Sequence, residues 1–435
     1  MRNIVQQHLA DAISMDLPEL TERECQLPEI PNKIQSVIGM RRSGKTYFLY
    51  QIMKQCMADG VDRSRLVYFN FEDERLAELS VENLHWIPDE YFAMFPENRS
   101  EEVFFFFDEI QLVDGWERFV RRLLDTETVQ IFVSGSSAKM LSREIASSLR
   151  GRSVEIIIYP YSFREFTRHH GIQYSRSLKR INSKTRSLLE NLLIRYLKYG
   201  GFPEAQGLLR LDRQLLLQGY VNAVLFRDIV ERFGVINITV LKTLIRHLIK
   251  NAGARFTVNK FYNHLKSQGF KVAKTTLHEY ISHLQDAFLL HTIPIYTDSE
   301  RKRMVNPIKP YIIDTGLVAS FLSSRDPDLG HLLENSILME LCRRNARVNY
   351  LITPSGFEVD FLAEYPDGIR QAIQVAADIS DPITRDRECR AFIESRSIVP
   401  DAEFLLINLS EEDVITINGV SIKLIPAWKW LLDKT

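Results

Sequence analysis

Two rhythms of apolar residues run along this chain. In the first third, short and mostly apolar runs recur at 34–38 (IQSVI), 66–71 (LVYFNF), 103–107 (VFFFF), 129–133 (VQIFV) and 154–158. Continuous runs of this length are what strands buried on both faces require. Between them lie helical patterns at 46–57 (TYFLYQIMKQCM) and 138–149. Ahead of them Ile4, Val5, His8, Leu9, Ala12 and Ile13 recur at the spacing of an amphipathic helix. Strands alternating with helices predict a parallel α/β sheet.

After Pro160 the period turns helical. Residues 161–170, 185–199 and 215–233 read as helices, punctuated by the turn Gly200-Gly201-Phe202-Pro203. Three more helical patterns follow at 239–250, 257–267 and 274–286. A strand at 288–295 (FLLHTIPI) comes next, with a possible partner at 311–313, and Arg301-Lys302-Arg303 stands between them where a wing would lie. That order predicts a winged helix. Past Ser323 the pattern predicts a helix opening at 332–335, strands at 348–352, 358–362 and 371–376, a helix at 384–394 and a strand at 404–407.

Length and composition narrow the class. At 435 residues the chain has room for about three domains of ~150 residues each. It is 45% hydrophobic and 26% charged, with 55 Lys+Arg against 56 Asp+Glu for a net charge of -1. Disordered, collagenous and disulfide-scaffold classes are excluded, and so is a chain-wide basic field for nucleic acid or membrane. The four cysteines form no C-x-x-C pair and the histidines no H-E-x-x-H, so no zinc site is legible. The longest purely apolar run is far short of the ~20 residues a membrane span needs. A soluble, cytoplasmic protein with no membrane partner is expected.

The candidate chemistry begins at Gly39-Met40-Arg41-Arg42-Ser43-Gly44-Lys45-Thr46, a fit to G-x-x-x-x-G-K-[ST] between a predicted strand and a predicted helix. The glycines allow close backbone approach, and successive N–H groups at a helix N-terminus make an anion-binding nest. Lys45 is placed to neutralise β- and γ-phosphate oxygens, and the Thr46 hydroxyl to ligate Mg²⁺. The run 103–107 ends in Asp108-Glu109, where open α/β sheets bind ligands. Asp108 is assigned to the Mg²⁺ shell and Glu109 to polarising the attacking water. Ser134 or Ser136, after the fourth run, is a candidate γ-phosphate sensor, although serine there also caps helices. Arg150 or Arg152 could act on the γ-phosphate in cis or in a neighbouring subunit, or be an ordinary surface arginine.

The chain resembles the AAA-type P-loop ATPases of bacteria and archaea that carry a C-terminal domain of uncharacterised function. The resemblance is carried by GMRRSGKT at 39–46, YFNFEDERL at 68–76, FFDEIQ at 106–111, SGSSAKML at 134–141, LRGR at 149–152 and YPYSFREF at 159–166. It continues through GGFPEA at 200–205, FRDIVERF at 226–233, KTTLHEYISHLQDAFLL at 274–290, IIDTGL at 312–317 and EVDFL at 358–362. It covers nearly the whole chain and implies ATP rather than GTP as the nucleotide.

The expected architecture is α/β: a P-loop NTPase parallel sheet (1–160), a helical lid (161–235), a winged-helix segment (236–322) and an α/β nuclease-like C-terminal domain (323–435). In a DNA-binding winged helix the third helix would expose Lys271, Lys274, Thr275, Thr276 and His278. The tail has the layout of restriction-endonuclease-like folds, with Glu334 on a helix and Glu358 and Asp360 on a strand. Gln374 and Ala376, however, stand where a second acid and a lysine are needed, and no other lysine stands at the matching place. A Mg²⁺-dependent ATP-binding and ATP-hydrolysing switch is therefore expected, with DNA, a protein partner or further copies of itself as partners. An ATP-regulated DNA-processing nuclease is the alternative. The Asp108-Glu109 pair speaks against a non-hydrolysing scaffold.

Overall fold

The computed structural model describes residues 1–28, 30–136, 149, 151–172, 174, 181–322 and 328–433. The chain forms two compact units, residues 1–159 with 286–288, and residues 160–285 with 289–435.

In the first unit the apolar runs become parallel strands β1 (Ile34–Ile38), β2 (Leu66–Asn70), β3 (Val103–Asp108), β4 (Val129–Gly135) and β5 (Ser153–Ile157). They lie in the order β2-β3-β4-β1-β5. β1 and β3 are buried at every position. The phenylalanine run explains why: Phe105 and Phe107 enter one core with Val67, Phe69, Ile131 and Val133, while Phe104 and Phe106 enter the other with Val37, Phe48, Leu49 and Phe132. Alternate side chains of one strand thus feed two helix-covered faces. The N-terminal helix Arg2–Ser14 buries Val5, His8, Leu9 and Ala12, its periodic face. The helical pattern expected at 138–149 lies outside the described residues except for Leu149.

The second unit begins with helices Phe163–His169, Ser183–Tyr199 and Arg210–Ala223. The last runs on through a π-helical stretch, Val224–Val230, into Glu231–Phe233. Helices Ile238–Lys250, Val258–Ser267 and Lys274–Asp286 follow. Then β6 (Leu290–Ile293) pairs antiparallel with β7 (Lys309–Ile312). The basic triplet 301–303 does not form an extended wing. It lies in a helix, Glu300–Val305, whose first turn is capped by the Ser299 hydroxyl accepting from Lys302 N at 3.3 Å.

Helix Leu329–Arg343 leads into a sheet of order β12-β13-β11-β10-β9-β8. β8 (Arg347–Ile352), β9 (Glu358–Glu364) and β10 (Arg370–Val375) run antiparallel to one another in turn. β11 (Glu403–Asn408) returns parallel to β10 after helix Pro382–Ser395. The hairpin β12 (Asp413–Ile417) and β13 (Val420–Pro426) was not anticipated from the pattern. Its signal was present: Asn418-Gly419, both at positive φ, is the two-residue turn that matches strand twist.

Three motifs with no catalytic reading turn out to be one joint. In the second unit the Asp314 carboxylate accepts Gly201 N at 2.6 Å and Gly316 N at 2.9 Å, while Tyr161 N donates to Gly201 O at 2.7 Å. YPYSFREF and GGFPEA therefore meet backbone to backbone, and the Asp314 side chain of IIDTGL ties them to its own segment. Gly200 has φ +75, and a Cβ there would sit 2.0 Å from Asp314 Oδ1. Gly200→Ala is expected to destabilise this unit by about 3 kcal/mol, combining left-handed strain with overpacking. A thermal-melting shift of less than a degree would show that the joint yields easily. Nearby, the buried Glu340 carboxylate is held by Arg164 at 2.7 Å, Arg344 at 3.2 Å and Arg343 at 3.6 Å. Among the described residues no helix is long and apolar enough to cross a membrane.

Candidate nucleotide site

The sheet register builds the site. Ile38 pairs with Gly135 and Phe107 with Val133, so the carboxyl ends of β1, β4 and β3 lie side by side. The loop after β1, the acids after β3 and the serines after β4 therefore share one edge of the sheet. This edge is where an open α/β sheet presents a ligand crevice.

Residues 39–44 wrap the end of β1 and hand over to helix Lys45–Ala58. Gly39 is at φ +147, and a Cβ on it would meet the Ile158 carbonyl oxygen at 2.3 Å, so no other residue fits without moving β5's continuation. The loop is braced from behind by Arg23, whose guanidinium donates to Ser43 O at 2.9 Å and to Tyr159 O. The Arg23 backbone is clamped in turn by both ends of the Gln51 amide, at 2.7 and 3.0 Å. Nothing in the aperiodic stretch 15–33 signals this role.

Lys45 is buried, with its ammonium 3.5 Å from Glu109 Oε1 and 3.4 Å from Met40 O. The Thr46 hydroxyl donates to Asp108 Oδ2 at 2.8 Å. The structure thus joins all four residues assigned to phosphate, metal and water. Asp108 receives two further hydroxyls, Tyr68 at 2.8 Å and Ser134. Burial, and then the charge of Glu109, push its carboxyl above the usual range, and the three hydroxyl donors work against that rise. Burial raises Glu109 as well. The Lys45 ammonium and the Gln111 amide outweigh it and leave that carboxyl below its usual range. Two neighbouring acids are pushed apart, as two different roles need.

Glu109 has φ +55, a left-handed conformation for a non-glycine residue. Backbone strain of this kind is held only where surroundings enforce it. Here Glu109 N donates to Ser134 Oγ at 3.0 Å while the same hydroxyl donates to Asp108. Ser134 therefore clasps the two acids together. Ser136, also buried, follows at the end of β4. Tyr68 and Gln111 lie within the YFNFEDERL and FFDEIQ stretches, where no local pattern marks them for this role. Their importance rests on the pairing of β2 with β3 and on the turn after β3, which the sequence does not display.

Arg150 lies outside the described residues. Arg152 precedes β5, and its carbonyl accepts Ile34 N at 2.8 Å, at the amino end of β1. Its guanidinium pairs with Asp125. The length of five-residue β1, about 16–17 Å at 3.3 Å per residue, separates it from the loop of its own chain. A role in cis is not open to it in this arrangement.

The donor set suits a magnesium nucleotide. A helix N-terminus and a buried ammonium offer charge to phosphates, and a hydroxyl and carboxylate 2.8 Å apart can share one metal shell. Fold and site together define a P-loop nucleotide-binding domain. The sequence profile of a family described as an AAA domain matches residues 31–167, and that of a domain of unknown function (DUF8612) matches residues 190–328. The chain is 32% identical over 427 residues to the uncharacterized protein MJ1544 of Methanocaldococcus jannaschii, covering 95% of this chain and 91% of that one, and it belongs to the same family. It is 31% identical over 353 residues to an uncharacterized protein of Haemophilus influenzae, covering 80% and 83%. Two solved structures show a looser likeness. The Walker-type ATPase PABY2304 of Pyrococcus abyssi has 14% identity and TM-score 0.39, covering 74% of this chain and 95% of that one. The Orc1 protein of Aeropyrum pernix in complex with DNA has 13% identity and TM-score 0.28, covering 74% and 90%.

Proposed function

We propose that this protein binds and hydrolyses ATP with Mg²⁺ and uses the cycle as a conformational switch. The observation that carries the reading is the double bridge between loop and acid strand, Thr46 to Asp108 and Lys45 to Glu109. Without nucleotide, Lys45 and Glu109 neutralise each other in a buried site. Phosphates that draw the Lys45 ammonium away leave the Glu109 carboxylate to orient water and accept its proton. Thr46 and Asp108 are the residues that would hold Mg²⁺, which supplies Lewis-acid stabilisation of the phosphate oxygens. An arginine is proposed to act on the γ-phosphate, either Arg150, in cis or from a neighbouring copy of the chain, or Arg152 from a neighbouring copy.

The second unit is proposed to carry the switch to its target. The helices at 238–250, 258–267 and 274–286 followed by β6 and β7 support a winged-helix reading. On the third helix and just before it Lys271, Lys274, Thr275 and His278 are exposed and Thr276 is half-buried. Helix, three antiparallel strands, helix and parallel strand support a nuclease-like fold for the remainder. ATP turnover measured with and without duplex DNA tests the reading. Turnover is expected; its acceleration by DNA favours a DNA target, an unchanged rate favours a protein target, and ATP binding without turnover would leave only a scaffold.

A further inference from the structure

The three acids that the sequence places on a helix and a strand of the C-terminal sheet do come together, and they are already occupied. The ammonium of Lys309, the first residue of β7, lies 2.7 Å from Glu334 Oε1, 2.8 Å from Glu358 Oε1 and 3.4 Å from Asp360 Oδ1. Lys309 is 1% exposed. The sequence led us to expect no lysine for this cluster, because none stands two residues after Gln374. One arrives instead from a different segment, through the antiparallel pairing of β7 with β6.

We propose that Lys309 is the resident cation of this site. Its ammonium takes the place of a divalent metal and locks the β6–β7 hairpin to the C-terminal sheet. Every other polar contact in the cluster agrees. Tyr311 OH donates to Glu334 Oε1 at 2.7 Å, Arg255 pairs with Glu358 Oε2 at 2.5 Å, and Val375 N donates to Asp360 Oδ2 at 3.0 Å. Gln374, at the position of the missing acid, is turned to other work. Its carbonyl accepts Asp360 N at 3.2 Å and its amide donates to Glu388 at 2.5 Å. The two closest distances, near 2.7 Å, are those of N⁺–H···O⁻ bonds, longer than the ~2.0–2.6 Å of Mg²⁺ or Ca²⁺ to oxygen. Among the described residues no group of three His, Cys, Asp or Glu stands ready to hold a metal ion, and these three acids are spaced around the ammonium, so a metal can enter only once the ammonium is gone and the acids close on it. Burial works to lower the Lys309 ammonium, and the carboxylates of Asp360, Glu334 and Glu358 outweigh it and hold it charged above its ordinary range. A buried charge cluster of this kind tolerates loss of neither sign, so the hairpin and the sheet stay together as long as Lys309 is seated.

The inference does not rest on the ATPase reading, and its test uses no nucleotide. The protein is melted in EDTA and then in Ca²⁺ or Mn²⁺. The wild-type transition of the second unit is expected to stay put, because a ligand stabilises only a site it can enter. Lys309→Ala removes the ammonium and opens a hole among three carboxylates. It is expected to melt lower in EDTA and to regain stability in millimolar Ca²⁺. Lys309→Ala/Glu334→Gln/Asp360→Asn should lose that response, and so should Lys309→Met, whose uncharged chain still fills the position. If Lys309→Ala is unfolded in EDTA, Ca²⁺ must refold it. The proposal is overturned if Lys309→Ala shows no cation response, or if the wild type itself gains stability from Ca²⁺ or Mn²⁺ and loses the gain in Glu334→Gln.

Discussion

Glu109→Gln is expected to keep Mg-ATP bound and to lose turnover by ~10²–10⁴-fold, about 3–5 kcal/mol of barrier. The substitution is nearly isosteric. The strained backbone at φ +55 is held by Ser134 through the Glu109 N–H, which glutamine keeps, and Gln111 can still donate to the remaining carbonyl oxygen. What disappears is the carboxylate that accepts a proton from water. The salt bridge to Lys45 disappears too, so in the nucleotide-free protein the ammonium is already released for phosphate. ATP affinity should therefore be equal to or higher than that of the wild type, a split that a merely unfolded variant cannot produce. Single-turnover hydrolysis and equilibrium binding on the same sample check both halves. Wild-type turnover would remove Glu109 from the mechanism. Mixing this variant with Arg152→Ala subunits adds a second readout: recovered activity places the arginine in trans, and none leaves Arg152 on the surface with Asp125.

Lys45→Ala should weaken Mg-ATP binding by about a hundredfold or more, which is about 2.7 kcal/mol. The expectation follows from burial. A charge-assisted hydrogen bond contributes about 1.5–3 kcal/mol, and this ammonium, away from solvent at the head of helix Lys45–Ala58, is placed to make more than one to the phosphates. The variant also strips Glu109 of its main counter-charge, so its carboxyl should titrate higher and the first unit should lose some stability. Titration calorimetry measures the affinity, and a melting curve on the same preparation shows that the fold persists. Unchanged affinity in a folded variant would mean that nucleotide binds elsewhere.

The sequence by itself determined the parts of this protein that depend on local chemistry. A run such as VFFFF reads as a strand covered on both faces, which β3 is, and G-M-R-R-S-G-K-T between a strand and a helix reads as a loop shaped for an anion. Lys45, Thr46, Asp108 and Glu109 were legible because their chemistry is tied to fixed offsets from strand ends. Tertiary structure decided what depends on register and on long-range return of the chain. Tyr68 reaches Asp108 only because β2 lies beside β3, and Ser134 joins the two acids only because β4 is threaded between β3 and β1. Arg152 is carried away from its own loop because β5 runs parallel to β1 and starts at the opposite edge. Arg23 braces the loop from a stretch with no periodicity at all. The clearest case is Lys309. A buried charge can be neutralised by any side chain that folding brings within 3 Å, from any distance in sequence, so the lysine missing from the strand was supplied from 51 residues before Asp360. Spacing along the chain carries no trace of such a contact, because the pairing of β7 with β6, not the residues between, sets where the ammonium lands.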